Sequence, residues 1–179
     1  MDLGAGDGRS SVATAAQHPD TLAIAIDSQP RAMADAWRRM QRQKLANLLL
    51  VAARAEELPP ELDGIVDAVT IHFPWGSLLA GVLDFEDGRI GAGLARITHP
   101  GSEVTVVLSV TERELTLGLP LLDASLEATL ATRYRAHGFE LAEWRLASRR
   151  EIAETRSSWA KRLGAGGTRP AWLMRLVRR

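Results

Sequence analysis

Short apolar runs alternate with polar, helix-compatible stretches along most of the chain, and turn-forming residues separate them. LAIAID at 22–27, NLLLVAA at 47–53, IVDAVTIHF at 65–73, EVTVVLSV at 103–110, FELAEWRL at 139–146 and AWLMRLV at 171–177 are short and mostly aliphatic, the form of strands buried in a sheet. Between them, 9–17 predicts a helix that His18-Pro19-Asp20 breaks. Ser28 is placed to cap a helix over 30–44, with Met33, Trp37 and Met40 near helical spacing. Residues 76–82 and 85–97 predict further helical pieces, closed by the turn His99-Pro100-Gly101. Asp123 caps a helix to His137, Gly138 supplies its stop, and Ser148 with Glu151 forms a capping box for another. Strand and helix alternate almost throughout. That predicts an α/β fold with a mainly parallel sheet covered on both faces.

Composition adds limits. With 179 residues, 46% of them hydrophobic, the chain suffices for one domain spanning 1–179. No run approaches the roughly twenty apolar residues of a membrane helix, and the N-terminus lacks the layout of a secretory signal. A cytoplasmic protein is expected. Cysteine is absent, and His18, His72, His99 and His137 show no ligand spacing, so no metal is expected. The net charge of +0 hides an uneven distribution: 56–127 holds 13 acidic and 3 basic side chains, whereas 145–179 holds 10 basic and 2 acidic ones. Arg31, Arg38, Arg39, Arg42 and Lys44 form a second basic cluster against Asp35 alone. Such flanks suit docking on a nucleic acid by one surface; two solvated faces account for them equally well.

The chemistry starts at DLGAGDG, residues 2–8. Glycines there let backbone approach a ligand, and the helix that follows offers N–H groups. The third glycine comes one residue too early for the dinucleotide pattern GxGxxG, which disfavours NAD. Asp27, closing the next strand, is placed to accept hydrogen bonds from ribose hydroxyls. Gly88, Gly91 and Gly93 follow no strand and predict loop and helix packing.

A leading acid followed by GxGxG resembles motif I of class I S-adenosyl-L-methionine (SAM) methyltransferases. With AIDSQPRAM, NLLLVAARAEELPP, PWGSLL and SSWAKRL, the likeness extends over most of the chain. The sequence resembles the 16S rRNA adenine-N1 methyltransferases of the kanamycin and apramycin resistance (Kam) type, which modify decoding-site adenine 1408. The resemblance implies a Rossmann-like, mostly parallel seven-stranded sheet, SAM as cofactor with S-adenosyl-L-homocysteine as product, and 16S rRNA of the 30S subunit as substrate. It also implies aminoglycoside resistance; a monomer is expected.

By the same resemblance, Asp2, Gly4, Gly6 and Asp7 line the methionine part of SAM, Asp27 holds the ribose, and Ala55 and Glu56 border the adenine. Trp75, also beside the cofactor, and Trp159 hold the target adenine between them, with Ser77 and Ser158 alongside. Carbonyls at Phe73 and Pro74 are placed to accept from the adenine N6 amine. Lys161, Arg162 and Arg169 join Arg31, Arg38, Arg39, Arg42 and Lys44 as rRNA contacts. Trp37, Trp144 and Trp172 are expected in packing.

The sequence departs from the family at its start. Only three residues precede Gly4, fewer than the roughly five of an ordinary strand, so the first strand is expected to be truncated and Met1 an internal or mis-assigned start. Three alternatives stay open at this level: a methyltransferase for tRNA, one for a small molecule, and a catalytically weak SAM- or rRNA-binding homologue.

Overall fold

The structure, a computed structural model, describes residues 1–83, 88–110, 112–162, 164–165 and 169–179, with the side chains of Arg113, Trp159 and Arg162 outside the description. The apolar runs become strands: β1 (Asp2–Leu3), β2 (Ala23–Asp27), β3 (Leu48–Ala52), β4 (Val66–His72), β5 (Thr98–Leu108), β6 (Phe139–Leu146) and β7 (Trp172–Arg178). They form one sheet in the order β3-β2-β1-β4-β5-β7-β6. Pairing is parallel from β3 through β5, and β7 runs antiparallel to both β5 and β6. Parallel pairing demands crossover helices, which is why strand and helix alternate in the chain. The expected α/β architecture with a mostly parallel seven-stranded sheet is present. Short as it is, β1 is central: Asp2 and Leu3 pair with Ala25 and Ile26, and Asp2 pairs with Thr70.

The helices are α1 (Arg9–Gln17), α2 (Ala34–Gln43), α3 (Gly76–Val82), α4 (Arg89–Ile97), α5 (Glu112–Thr116), α6 (Glu127–Ala136), α7 (Arg149–Glu154) and α8 (Ser158–Arg162). The helix expected over 30–44 is two pieces, a 3-10 turn at Pro30–Met33 and then α2. Gln29, not Ser28, stands at its N-cap and offers no side-chain bond; the Asp27 carboxylate accepts from the Gln29 N–H instead, at 2.8 Å. The buried stripe is Met33 and Ala36 with half-buried Met40, so Trp37 falls on the flank and is 54% exposed. Of the helix predicted over 85–97, residues 85–87 lie outside the described residues, and Arg89 starts α4. The expected turn at His99-Pro100-Gly101 is a bulge inside β5: Val66 pairs with Thr98 and Ala68 already with Glu103. Ser102 secures it, donating its hydroxyl to the Val66 carbonyl at 2.8 Å and accepting from the His99 N–H at 3.1 Å.

Gly91 serves packing, as expected, since a Cβ there would lie 2.4 Å from the His137 ring, whereas one on Gly93 would make only ordinary contacts from 3.7 Å outward. Trp144 and Trp172 stack on each other with centroids 4.7 Å apart, and Trp144 Nε1 donates to the Asp123 carbonyl. Among the described residues no helix is long and apolar enough to cross a membrane.

Ser148 and Glu151 make the predicted capping box at the start of α7. Arg145 and the Ser148 N–H together hold the Glu151 carboxyl well below the usual carboxylate range. Ser148→Ala should cost about 1 kcal/mol, read as a fall of roughly 2–4 °C in Tm at neutral pH.

Candidate functional site

The turn out of β1 is held by β2. The N–H groups of Gly4 and Ala5 both donate to the Ile26 carbonyl at 2.9 Å, and the Gly6 N–H donates to Asp27 Oδ2 at 2.8 Å. Asp27 therefore braces the glycine loop with one oxygen and the start of the 3-10 turn with the other. Asp7 caps the far side, accepting from the Arg9 N–H at 3.3 Å and pairing with the Arg9 guanidinium at 3.0 Å. The loop is open toward the sheet's C-terminal rim, the usual ligand position in open α/β sheets.

Below the loop, Asp2 is buried. Its carboxylate accepts from the Ser11 hydroxyl at 3.1 Å and the Thr70 hydroxyl at 3.3 Å, and His72 Nδ1 lies 3.9 Å away. Burial pushes the Asp2 carboxyl up, while His72 beside it and the Ser11 hydroxyl pull it back. Burial likewise pushes the His72 imidazole down, with Asp2 opposing, and His72 Nδ1 has no hydrogen-bond partner among the described residues. Sequence reasoning missed His72; it ends an apolar strand, and nothing local marks it as the neighbour of an acid at position 2.

The other wall comes from two distant segments. At the end of β4, Phe73 adopts φ 50, a left-handed conformation uncommon for a side chain of that size, while its N–H donates to the Val107 carbonyl at 2.7 Å. Its ring is buried with Ile152, Ala160 and Leu173. The backbone reversal presents Pro74 and Trp75 to the rim, where Trp75 is 61% exposed. Opposite, Thr155 Oγ1 is buried and donates to the Ile152 carbonyl at 2.7 Å while accepting from the Ser157 N–H at 3.2 Å. Arg156 takes φ 53, so the chain turns sharply from α7 into α8. Because Phe73 and Ala160 share one buried cluster, PWGS and SSWAKR are packed as a unit.

These pieces enclose one cavity of about 420 Å³. Its lining brings together the sequence candidates Asp2, Gly4, Gly6, Asp7, Asp27, Ala55, Glu56, Pro74, Trp75, Ser77 and Ser158. The Ser77 hydroxyl bonds the Glu56 carboxylate and holds it below its usual range, with Arg54 adding a weaker pull. Trp159 lies in α8 by its backbone, next to Ser158 in the wall; its side chain, like that of Arg162, is outside the described residues.

The basic candidates stand outside the cavity. Arg31, Arg38, Arg42, Lys44 and Lys161 are exposed and Arg39 half-buried. Arg38 is paired with Asp35. Arg169 is half-buried, and its Nη1 is shielded without a partner among the described residues.

A family model described as NpmA: 16S rRNA (adenine(1408)-N(1))-methyltransferase matches residues 1–178. The chain belongs to this methyltransferase family. A 16S rRNA (adenine(1408)-N(1))-methyltransferase of Streptoalloteichus hindustanus is 32% identical over 180 residues, 94% of this chain and 81% of that one. Its Escherichia coli counterpart is 33% identical over 181 residues, 94% of this chain and 82% of that one. Among solved structures, the 16S rRNA methyltransferase KamB superposes with a TM-score of 0.84 at 30% identity, covering 99% of this chain and 86% of KamB. A tryptophan-to-alanine mutant of the Catenulisporales acidiphilia enzyme, solved with cosubstrate SAM, gives 0.80 at 29% identity, covering 99% of this chain and 84% of that one.

Within the 16S rRNA (adenine(1408)-N(1))-methyltransferase family, the cavity of this member fits a nucleoside cofactor with an amino-acid tail. A Cβ on Gly6 would meet nothing within 4 Å, so the loop leaves space where it borders the cavity. A buried acid, Asp2, suits a cation, and Asp27 and Glu56 in the same lining suit hydroxyl and amine donors.

Proposed function

We propose that this protein is a SAM-dependent methyltransferase acting on N1 of adenine 1408 in the 16S rRNA of the 30S subunit, and that it thereby gives resistance to kanamycin and apramycin. The observation that carries the proposal is the shared cavity: the glycine loop forms one wall, and Trp75 with Ser158 forms the mouth. Asp2 takes the cofactor's ammonium group, Gly4 and Gly6 admit its methionine chain past Asp7, Asp27 takes the ribose, and Ala55 and Glu56 border its adenine. Bound there, the cofactor supplies an electrophilic methyl group.

N1 lies on the Watson-Crick edge, so the target adenine must leave its stack before a methyl group can approach it. Trp75 at the open mouth receives the extruded base on its indole face, with Trp159 as the facing ring and Ser77 and Ser158 beside them. N1 already carries an in-plane lone pair, so no side chain has to remove a proton. What the protein provides is placement, together with an aromatic face for the positive charge the base acquires. Carbonyls at Phe73 and Pro74 accept from the N6 amine and favour adenine over guanine. Arg31, Arg39, Arg42 and Lys44 on one side, and Lys161 with Arg162 on the other, hold rRNA phosphates. Arg38, engaged by Asp35, contributes less, and Arg169 joins Lys161 and Arg162 as a phosphate contact.

The test is incubation of purified 30S subunits with the protein and labelled SAM, followed by mapping of reverse-transcription stops. A new stop at the decoding adenine is expected. Label on tRNA or a small molecule would redirect the reading to another substrate, and SAM binding without transfer would reduce the protein to a binding homologue.

SAM affinity should also fall as pH is lowered below neutrality. Burial raises the Asp2 carboxyl, so as pH falls the empty site takes up a proton sooner than a free carboxylate would, and an incoming ammonium must displace it. Protonated His72, 3.9 Å from Asp2, would repel the same ammonium, so both groups give the same sign. Calorimetry in buffers of different ionisation heat should register proton release on binding. A pH-independent affinity, or one unaltered by Asp2→Asn, counts against Asp2 as the ammonium partner.

A further inference from the structure

The cavity leaves Trp37 unexplained. A tryptophan that folding could bury is instead 54% exposed, and it lines a second groove of about 400 Å³ with Pro30, Met33, Ala34, Leu50 and Ala52, Arg38 being at the edge. This groove adjoins the first. Gln29 lines the cavity and Pro30 the groove; Ala53 lines the cavity and Ala52 the groove. Both therefore open on the rim formed by the C-terminal ends of β2 and β3. The segment carrying Trp37 also carries Arg31, Arg38, Arg39, Arg42 and Lys44 against one acid, Asp35, which Arg38 already engages.

We propose that this groove binds one unpaired nucleotide of the RNA substrate, its base stacked on the Trp37 indole and its flanking phosphates held by the arginines, separately from the base that reacts. The inference rests on the reading of the chain as an rRNA methyltransferase. Charge decides the occupant. A second copy would bring the same cations to the same place, and an apolar protein partner would have to strip water from several guanidinium groups to reach one indole. A nucleotide offers the complementary pair, an anion on its backbone and a flat apolar face on its base. The base must be unpaired, because duplex RNA keeps its faces stacked and its major groove too narrow for side chains.

The test compares 30S binding by wild type, Trp37→Phe and Trp37→Leu over a range of salt concentrations. Leucine keeps apolar volume and loses the aromatic face; phenylalanine keeps both. The expected result is a weakening of roughly 5- to 100-fold for Trp37→Leu and about threefold or less for Trp37→Phe. The slope of log Kd against log salt should be unchanged in both, since no phosphate contact is removed. SAM affinity and Tm should match wild type, which separates a lost contact from a lost fold. Wild-type binding by Trp37→Leu overturns the proposal and leaves the methyltransferase reading standing. Equal weakening of both variants overturns it too, as the mark of a shape contact rather than stacking. If wild type itself fails to bind 30S subunits, the rRNA reading falls and this proposal with it.

Discussion

Trp75→Ala should slow methylation of 30S subunits roughly 10- to 100-fold, whereas Trp75→Phe should retain most of the rate. Stacking of a base on an aromatic side chain contributes about 1–3 kcal/mol, which sets the range. The side chain stands 61% exposed at the cavity mouth, so truncating it removes little from the core and Tm should change little. Loss of rate without loss of fold is what a base platform predicts. The measurement is single-turnover transfer of labelled methyl to 30S subunits at saturating SAM, with thermal unfolding alongside. Wild-type rates for the alanine variant would remove Trp75 from the base site.

The strand pattern was legible because it is local. Six apolar runs of the right length read directly as β2 to β7, and caps at Ser148 and at Asp123, the latter on a 3-10 turn at Ala124–Leu126 that leads into α6, needed only a residue type and its spacing. What was misread depends on partners far along the chain. His99-Pro100-Gly101 has turn composition, yet the Ser102 hydroxyl reaches the Val66 carbonyl and keeps the segment in the sheet as a bulge. Trp37 sits at a plausible core spacing, but the core position is taken by Ala36, since α2 approaches the glycine loop too closely for anything larger. α5 was not foreseen at all.

The site divides in the same way. Glycine spacing and the acid ending β2 pointed to the cofactor loop, and Asp27 is indeed in the cavity wall. That Asp27 also ties down the Gly6 N–H could not be read, because the tie is a contact made by folding. The meeting of Phe73 with Ala160, which joins the wall segments, was open to the family resemblance and closed to periodicity. His72 had no signal of either kind.

The glycine loop supplies the second large effect, and it separates two functions that motif I combines. Gly8 and Gly6 both have positive φ, 66° and 56°, so alanine at either carries a backbone cost of about 1–2 kcal/mol. Their surroundings differ. A Cβ on Gly8 would lie 2.6 Å from the Cβ of Ala36, a fully buried residue of α2, and neither atom belongs to a flexible side chain that could move aside. α1 and α2 would have to separate, adding about 1–3 kcal/mol of overpacking. Gly8→Ala should therefore lower Tm by roughly 5–15 °C. A Cβ on Gly6 meets no protein atom within 4 Å and borders the cavity. Gly6→Ala should cost only the backbone share, roughly 2–8 °C in Tm, while its methyl group occupies space the cofactor needs and weakens SAM binding by about tenfold or more. Thermal unfolding and SAM titration on both variants would check this. Equal SAM affinity for Gly6→Ala and wild type, with both folded, would mean that the cofactor does not pass over Gly6.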